Sequence, residues 1–243
     1  MPGVSAIVFG AIHLNKSEIK SKRVLDVGAC DFNGSIRPLI ESWEPSEYIG
    51  VDIIDGPSVD LVCSADDLLD KFGSESFDIV LSIEMLEHSR NWKRSIHNIK
   101  NICKTGGVIL LTTRSYGYPC HGFPNDFWRF EYEDMKEIFS DCNIEAIETD
   151  YQAPGIFIIV KKPLEFIEKD LSDMEIYTLV SNKKATEISE RDYKSNYYLV
   201  ERKFIPQVYS GYRKSMILPY YFIQLFHSSS VSPVCLDKSM LGL

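Results

Sequence analysis

The sequence predicts an α/β protein with a doubly wound, seven-stranded sheet that closes in an antiparallel hairpin, and three observations carry the prediction. Between Arg23 and Lys162, short apolar runs alternate with amphipathic stretches of helical length. A glycine turn follows the first run, in RVLDVGACDFNG (23–34). The last two runs are joined only by Tyr-Gln-Ala-Pro-Gly, too little chain for a helical crossover, so they must pair antiparallel.

Taken in order, the expected strands are RVLDV (23–27), YIGVD (48–52), VDLVC (59–63), FDIVLSI (77–83), GVILLTT (107–113), IEAIETD (144–150) and GIFIIVKK (155–162). Helices are expected at 35–42, 65–72, 91–103 and 132–139, punctuated by Gly73, Thr105-Gly106-Gly107 and Pro154-Gly155. After Pro163 the texture becomes aromatic and charged, without strand alternation. SDME at 172–175 fits a capping box and predicts a helix start, while Pro206 and Pro219 divide the remainder. Two regions are therefore expected: 1–162 as the sheet domain, and 163–243 as a mostly helical, aromatic-rich extension acting as lid, packing or interaction segment. SSSVSP near residue 230 has the composition of a loose terminus.

With 243 residues, 44% of them hydrophobic, the chain can build a real core. Its formal net charge of -9 argues against broad binding to phosphate backbones, so no nucleic-acid partner is expected. The six cysteines (30, 63, 103, 120, 142 and 235) show no C-x-x-C pair and no zinc-type spacing, so reduced thiols and no metal site are expected. The N-terminus lacks the layout of a secretory signal, and the longest apolar run, Met216–Phe226, contains Pro219 and is too short to span a bilayer. A soluble cytoplasmic protein without a membrane span is the expectation.

The glycine turn narrows the ligand. A dinucleotide fingerprint needs G-x-G-x-x-G so that backbone can approach a pyrophosphate; here the three positions are Gly28, Cys30 and Asn33. Asp26 and Asp31 flank the turn, and like charge beside a diphosphate is costly. No Gly-Lys-Ser/Thr follows, which removes a P-loop. The loop suits an adenosine compound without phosphate and with positive charge, and S-adenosylmethionine, with its ammonium and sulfonium, is one. Asp52 ends the second strand at the distance from Gly28 where a ribose-binding acid is expected.

VLDVGACDFNGS, YIGVD, SFDIVLSIEMLEH and the helix leading into KTGGVILLTT resemble the successive motifs of class I S-adenosylmethionine-dependent methyltransferases, in the branch with the methyltransferase type 11 domain. The resemblance covers about residues 20–162 and implies a Rossmann-like sheet with a terminal hairpin. It implies that Asp26, Gly28 and Ala29 belong to the methionine-end pocket of the cofactor and that Asp52 is the ribose acid; Cys30, Asp31 and Ile53 are expected among the cofactor contacts. Asp66 or Asp67 would meet the adenine amino group, and Ser82, Ile83 and Glu84 would floor the site beside the sulfonium. Cys30 departs from the family's second glycine. Each acid also has a plainer reading as a cap or solvated turn residue.

The acceptor belongs beyond the fourth and fifth strands. The segment RSYGYPCHGFPNDFWRF (114–130) is long for a connection and mixes aromatic walls (Tyr116, Tyr118, Phe123, Phe127, Trp128, Phe130) with His121, Asp126 and Arg129. Tyr116, His121, Asp126, Trp128 and Arg129 are the candidate acceptor contacts. Methyl transfer needs alignment more than a base; if a base acts, His121 comes first and His88 second. The competing reading makes FPNDFWRF a structural plug with Arg129 paired to Asp126 or to an acid of the next helix. Cys120 beside His121 is read as inert, because the cofactor supplies the electrophile. The tail tyrosines 197, 198, 209, 212, 220 and 221 would cover the pocket, pack on the core or form a homodimer contact. The expected function is transfer of a methyl group to oxygen or nitrogen of a small-molecule or glycan-like acceptor. Its rivals are a nicotinamide-dependent oxidoreductase and a catalytically silent, methyltransferase-like binding module.

Overall fold

The chain was described from a computed structural model, which covers residues 4–32, 34–122, 124–195 and 198; these all fall in one compact unit. Asn33, Phe123, Cys235, the run 216–226, SSSVSP and the tyrosines 197, 209, 212, 220 and 221 lie outside the described residues.

The uninterrupted apolar runs become the centre of the sheet. Strands β1 (Arg23–Val27), β4 (Phe77–Ile83), β5 (Cys103–Arg114) and β8 (Gly155–Lys161) are buried along almost their whole length, as strands covered on both faces must be. β2 (Glu47–Asp52), the short β3 (Leu61–Val62) and β7 (Asn143–Thr149), which carries exposed charged positions, complete the order β3-β2-β1-β4-β5-β8-β7. The first five strands are parallel. β8 runs antiparallel to both β5 and β7, the reversed ending that the short 150–154 link requires.

Two apolar layers cover the faces. On one, helix α5 (Trp92–Ile102) turns Trp92, Ile96, Ile99 and Ile102 inward at helical spacing, next to Leu25, Val80 and Leu111. On the other lie Ile36 and Ile40, around and in helix α3 (Arg37–Glu41), and the N-terminal helix α1 (Val4–His13). Phe9 of α1 packs on Phe157 of β8, ring centroids 5.5 Å apart. Neither α1 nor the following single turn α2 (Lys16–Ile19), capped by Asn15, was expected from sequence. Helices α4 (Leu68–Phe72), extended at its start by a 3-10 turn Ala65–Asp67, and α6 (Tyr132–Ile138) stand where the sequence puts them.

The segment after Pro163 differs from expectation: its described part is not mostly helical but holds two short strands and one helical turn. No helix starts at Ser172; its amide donates to Asp170 Oδ1, and a turn from Leu171 to Met174 leads into strand β9 (Ile176–Thr178). The Asp170 side chain supplies a turn where the capping-box reading wants a helix, because β9 has a partner. It pairs antiparallel with β6 (Trp128–Arg129) and with β10 (Lys183–Ala185), a second sheet of order β10-β9-β6, and one turn of helix α7 (Glu190–Tyr193) follows.

The order places β1 beside β4 at the point where the chain reverses its direction across the sheet. The loops leaving their carboxyl ends part there and open the crevice used by ligands in such sheets. Asp26, Asp52, Ser82–Glu84 and Thr112–Arg114 all reach that edge.

Candidate active site

The loop after β1 spends its backbone donors on the scaffold. Gly28 and Ala29 both donate to Val51 O (2.8 and 3.0 Å), Cys30 to Asp52 Oδ2 (3.1 Å) and Asp31 to Pro57 O (2.9 Å). Phe32 donates to Cys30 O (3.1 Å) and Gly34 to Asp31 Oδ1 (2.6 Å). Every described amide from 28 to 34 is thus occupied, and none is left to cradle a phosphate, which such a loop would need for a dinucleotide. Asp31 closes its own turn instead of reaching outward. Gly28 is required twice over: its φ is +85°, and a Cβ there would lie 2.5 Å from Cβ of Met85.

The carboxylates are arranged differently. Asp26 is buried at 4% exposure and accepts a hydrogen bond from Tyr48 Oη at 2.6 Å. Burial pushes its pKa up to about 6, against the pull of the Tyr48 bond. Asp52 is half-buried; its two oxygens accept from the amides of Cys30 and Ile54 (3.1 and 3.3 Å), which aims the carboxylate and leaves further lone pairs for another donor. Beside it lies an open groove of ≈ 410 Å³ lined by Ile53, Cys63, Ser64, Asp67 and neighbours. Asp67 faces this groove, whereas Asp66 accepts from Ser95 Oγ (3.0 Å) and its carbonyl takes Arg94 Nε (2.8 Å). The geometry thus separates two adjacent acids: Asp66 anchors α5 and Asp67 lines the groove.

The floor is polar and buried. Ser82 and Ile83 end β4, and Glu84, with φ +54°, donates its amide to Thr112 O (2.9 Å). The Glu84 carboxylate meets the Arg114 guanidinium, which also reaches Asp150 (2.9 Å) and lies 4.2 Å from the centroid of the Tyr118 ring. Burial raises the Glu84 pKa, with Arg114 opposing.

The 114–130 segment splits in two. Asp126, Trp128 and Arg129 are fully buried. Arg129 grips Asp126 with two parallel bonds (2.6 and 2.8 Å) and donates to the carbonyls of Tyr118, Pro119 and Trp128. Burial alone would raise the Asp126 pKa, but the Arg129 guanidinium and then His121 hold it well below the usual carboxylate range. Trp128 packs edge-on to Trp92 and donates Nε1 to Arg90 O (3.2 Å). The expectation that these three contact an acceptor is corrected: they have no exposed surface, and they form the plug. Tyr198 from the extension pins it, donating to Pro124 O at 2.5 Å. Tyr116 stays exposed at 48%, its ring edge-on to Tyr177. His121 and His88 are partly exposed, ring centroids 4.7 Å apart, above the floor.

A seven-stranded sheet with a reversed final pair, an acid-lined loop whose described amides are all spent and an oriented carboxylate on the second strand fit an S-adenosylmethionine-dependent methyltransferase better than a dinucleotide enzyme. Residues 10–155, more than half of the chain, match the family described as "Methyltransferase domain", and the chain belongs to it. No curated protein matches the sequence.

Three solved structures share the fold. A Mesorhizobium loti S-adenosylmethionine-dependent methyltransferase is 16% identical over 66% of this chain and 99% of its own, TM-score 0.51. A Haloferax volcanii putative methyltransferase complex with the Trm112 activator gives 15%, 65%, 89% and 0.51. The Burkholderia thailandensis 1,6-didemethyltoxoflavin-N1-methyltransferase, with that compound and S-adenosylhomocysteine bound, gives 15%, 65%, 76% and 0.50. Among the described residues no helix is long and apolar enough to cross a membrane.

Proposed function

We propose that the chain methylates an oxygen or nitrogen of a small-molecule or glycan-like acceptor held between the Leu86–His88 turn and residues 116–121. The observation that carries this reading is the pair of imidazoles, His88 and His121, standing partly exposed beyond the carboxyl ends of β4 and β5. S-adenosylmethionine supplies an electrophilic methyl group. Asp26, Gly28, Ala29 and Cys30 would surround its methionine end, Asp52 and Ile53 its ribose, and Asp67 its adenine, with Ser82, Ile83 and Glu84 beneath.

Displacement at the methyl carbon is governed by alignment and by stripping water from the nucleophile. Tyr118 and Tyr116 wall the acceptor side. His121 would take the acceptor's proton at Nε2 as the new bond forms. Its Nδ1 lies 3.0 Å from Asp126 Oδ2, which orients the ring although the pair is not aligned as a hydrogen bond. The described part of the extension supports this by bracing the plug through β9 and Tyr198. The fold also accommodates a small acceptor beside the spent cofactor in the Burkholderia enzyme. Calorimetry with S-adenosylhomocysteine, followed by turnover assays on pools of hydroxylated and aminated metabolites, tests the reading. Binding with turnover is expected. Cofactor binding without turnover on any pool would favour the silent module instead.

A further inference from the structure

We propose that Glu87, His88 and His121 form a binding site for one first-row divalent metal ion of the Zn²⁺ type. Glu87, in the turn after β4, is 0% exposed. Its Oε2 accepts from Thr113 Oγ1 at 2.9 Å, while its Oε1, equally buried, has no hydrogen-bond partner. Left so, a buried carboxylate oxygen is costly. Two imidazole nitrogens face it: Nε2 of His121 at 3.7 Å and Nε2 of His88 at 4.0 Å. The three ligand atoms lie within 4.8 Å of one another. These gaps exceed hydrogen bonds but suit donors sharing an ion, since atoms about 2.1 Å from a tetrahedral centre stand roughly 3.4 Å apart.

The outer contact of His88 fixes which of its nitrogens faces inward. Nδ1 of His88 lies 2.5 Å from the carbonyl oxygen of Asn125. A carbonyl only accepts, so Nδ1 carries the proton and Nε2 turns its lone pair toward Glu87. Nδ1 of His121 lies beside Asp126, itself locked by Arg129. A carbonyl and a carboxylate behind two histidines is the outer arrangement that orients metal-bound imidazoles. Gly122, at φ +71°, lets the backbone pass the His88 ring where a Cβ would come within 3.1 Å of Cε1. A buried carboxylate oxygen without a partner and two imidazole nitrogens therefore converge, and one cation would satisfy all three.

Two imidazoles with one carboxylate select a borderline transition ion over Mg²⁺ or Ca²⁺. His88 and His121 are 28% and 23% exposed on their side chains, so the ion would keep open positions toward the crevice. If the chain is the methyltransferase proposed above, an acceptor oxygen ligated there would lose its proton to solvent more easily, and His121 would act as ligand in place of base.

The test uses the full chain, stripped by a chelator and titrated with Zn²⁺ against a chromophoric competitor, without cofactor. One tightly held ion per chain is expected, and E87Q, H88Q and H121Q should each weaken binding at least 100-fold. No retained ion, or variants binding as tightly as the wild type, would overturn the site. Should a variant fail to fold, pulsed electron paramagnetic resonance of Cu²⁺-loaded wild type decides. Modulation from two imidazoles supports the site, and its absence sinks it. S-adenosylhomocysteine calorimetry on the stripped protein separates the two ideas, since lost cofactor binding speaks only against the methyltransferase reading.

Discussion

The loop after β1 and the plug after β5 solve the same problem in opposite ways. In the first, backbone amides are satisfied by the neighbouring strand and by the loop's own oxygens, while the Asp52 and Asp67 side chains remain available at the crevice. In the second, charged side chains satisfy one another, with Arg129 and Asp126 sealed inside, while imidazoles remain available. The difference teaches where ligand energy comes from. An acid held by amides at the crevice keeps lone pairs to offer a ligand, whereas an acid sealed with a guanidinium spends its own on the interior, Asp126 accepting from the His121 amide as well.

Breaking the plug should have the largest effect. Arg129→Ala leaves the Asp126 charge buried and unpaired, and a loss of roughly 3–5 kcal/mol is expected in chemical denaturation, with the plug loosened. Pairing Arg129→Met with Asp126→Leu should recover much of it, and no recovery would show that the pair acts as more than internal packing. On the loop, Asp52→Ala should weaken S-adenosylhomocysteine binding by about 1–3 kcal/mol by calorimetry while leaving the fold intact. Unchanged affinity would remove Asp52 from the site.

The gentlest probe is pH. Burial raises the Asp26 pKa to about 6, above its ordinary 3.8, so the folded protein binds this proton more tightly than the unfolded chain. Its contribution to stability therefore falls as pH rises from about 4 to 6. A cationic ligand beside it prefers the ionised form, so cofactor affinity should drop by up to about tenfold for each pH unit below 6. Asp26→Asn should flatten that slope; an identical slope in the variant would show that Asp26 does not meet the cation.

The sheet was legible because its central strands are uninterrupted apolar runs, and β1 and β4 begin and end at the residues expected. Helix α1 was not, since its small and apolar residues lack a polar face to mark a helical period. β9 and β10 escaped because three-residue strands show no alternation, and β9 depends on a distant partner, β6, while β10 depends on β9. The turn Gly28–Asp31 was readable from its chemistry. The choice of Asp67 over Asp66 was not, because a one-residue step in a 3-10 turn decides which carboxylate faces α5. Glu87 has no role legible in sequence, because its meaning depends on a histidine brought back from the far side of β5.

Met85 fills the space that a side chain at position 28 would claim, and it stands between Glu84 on the floor and Glu87 in the turn. Met85 therefore joins the glycine turn after β1 to the turn that carries Glu87 and His88. A bulkier or smaller side chain at position 85 would therefore be felt by the glycine turn through direct contact and by Glu84 and Glu87 through the peptide chain.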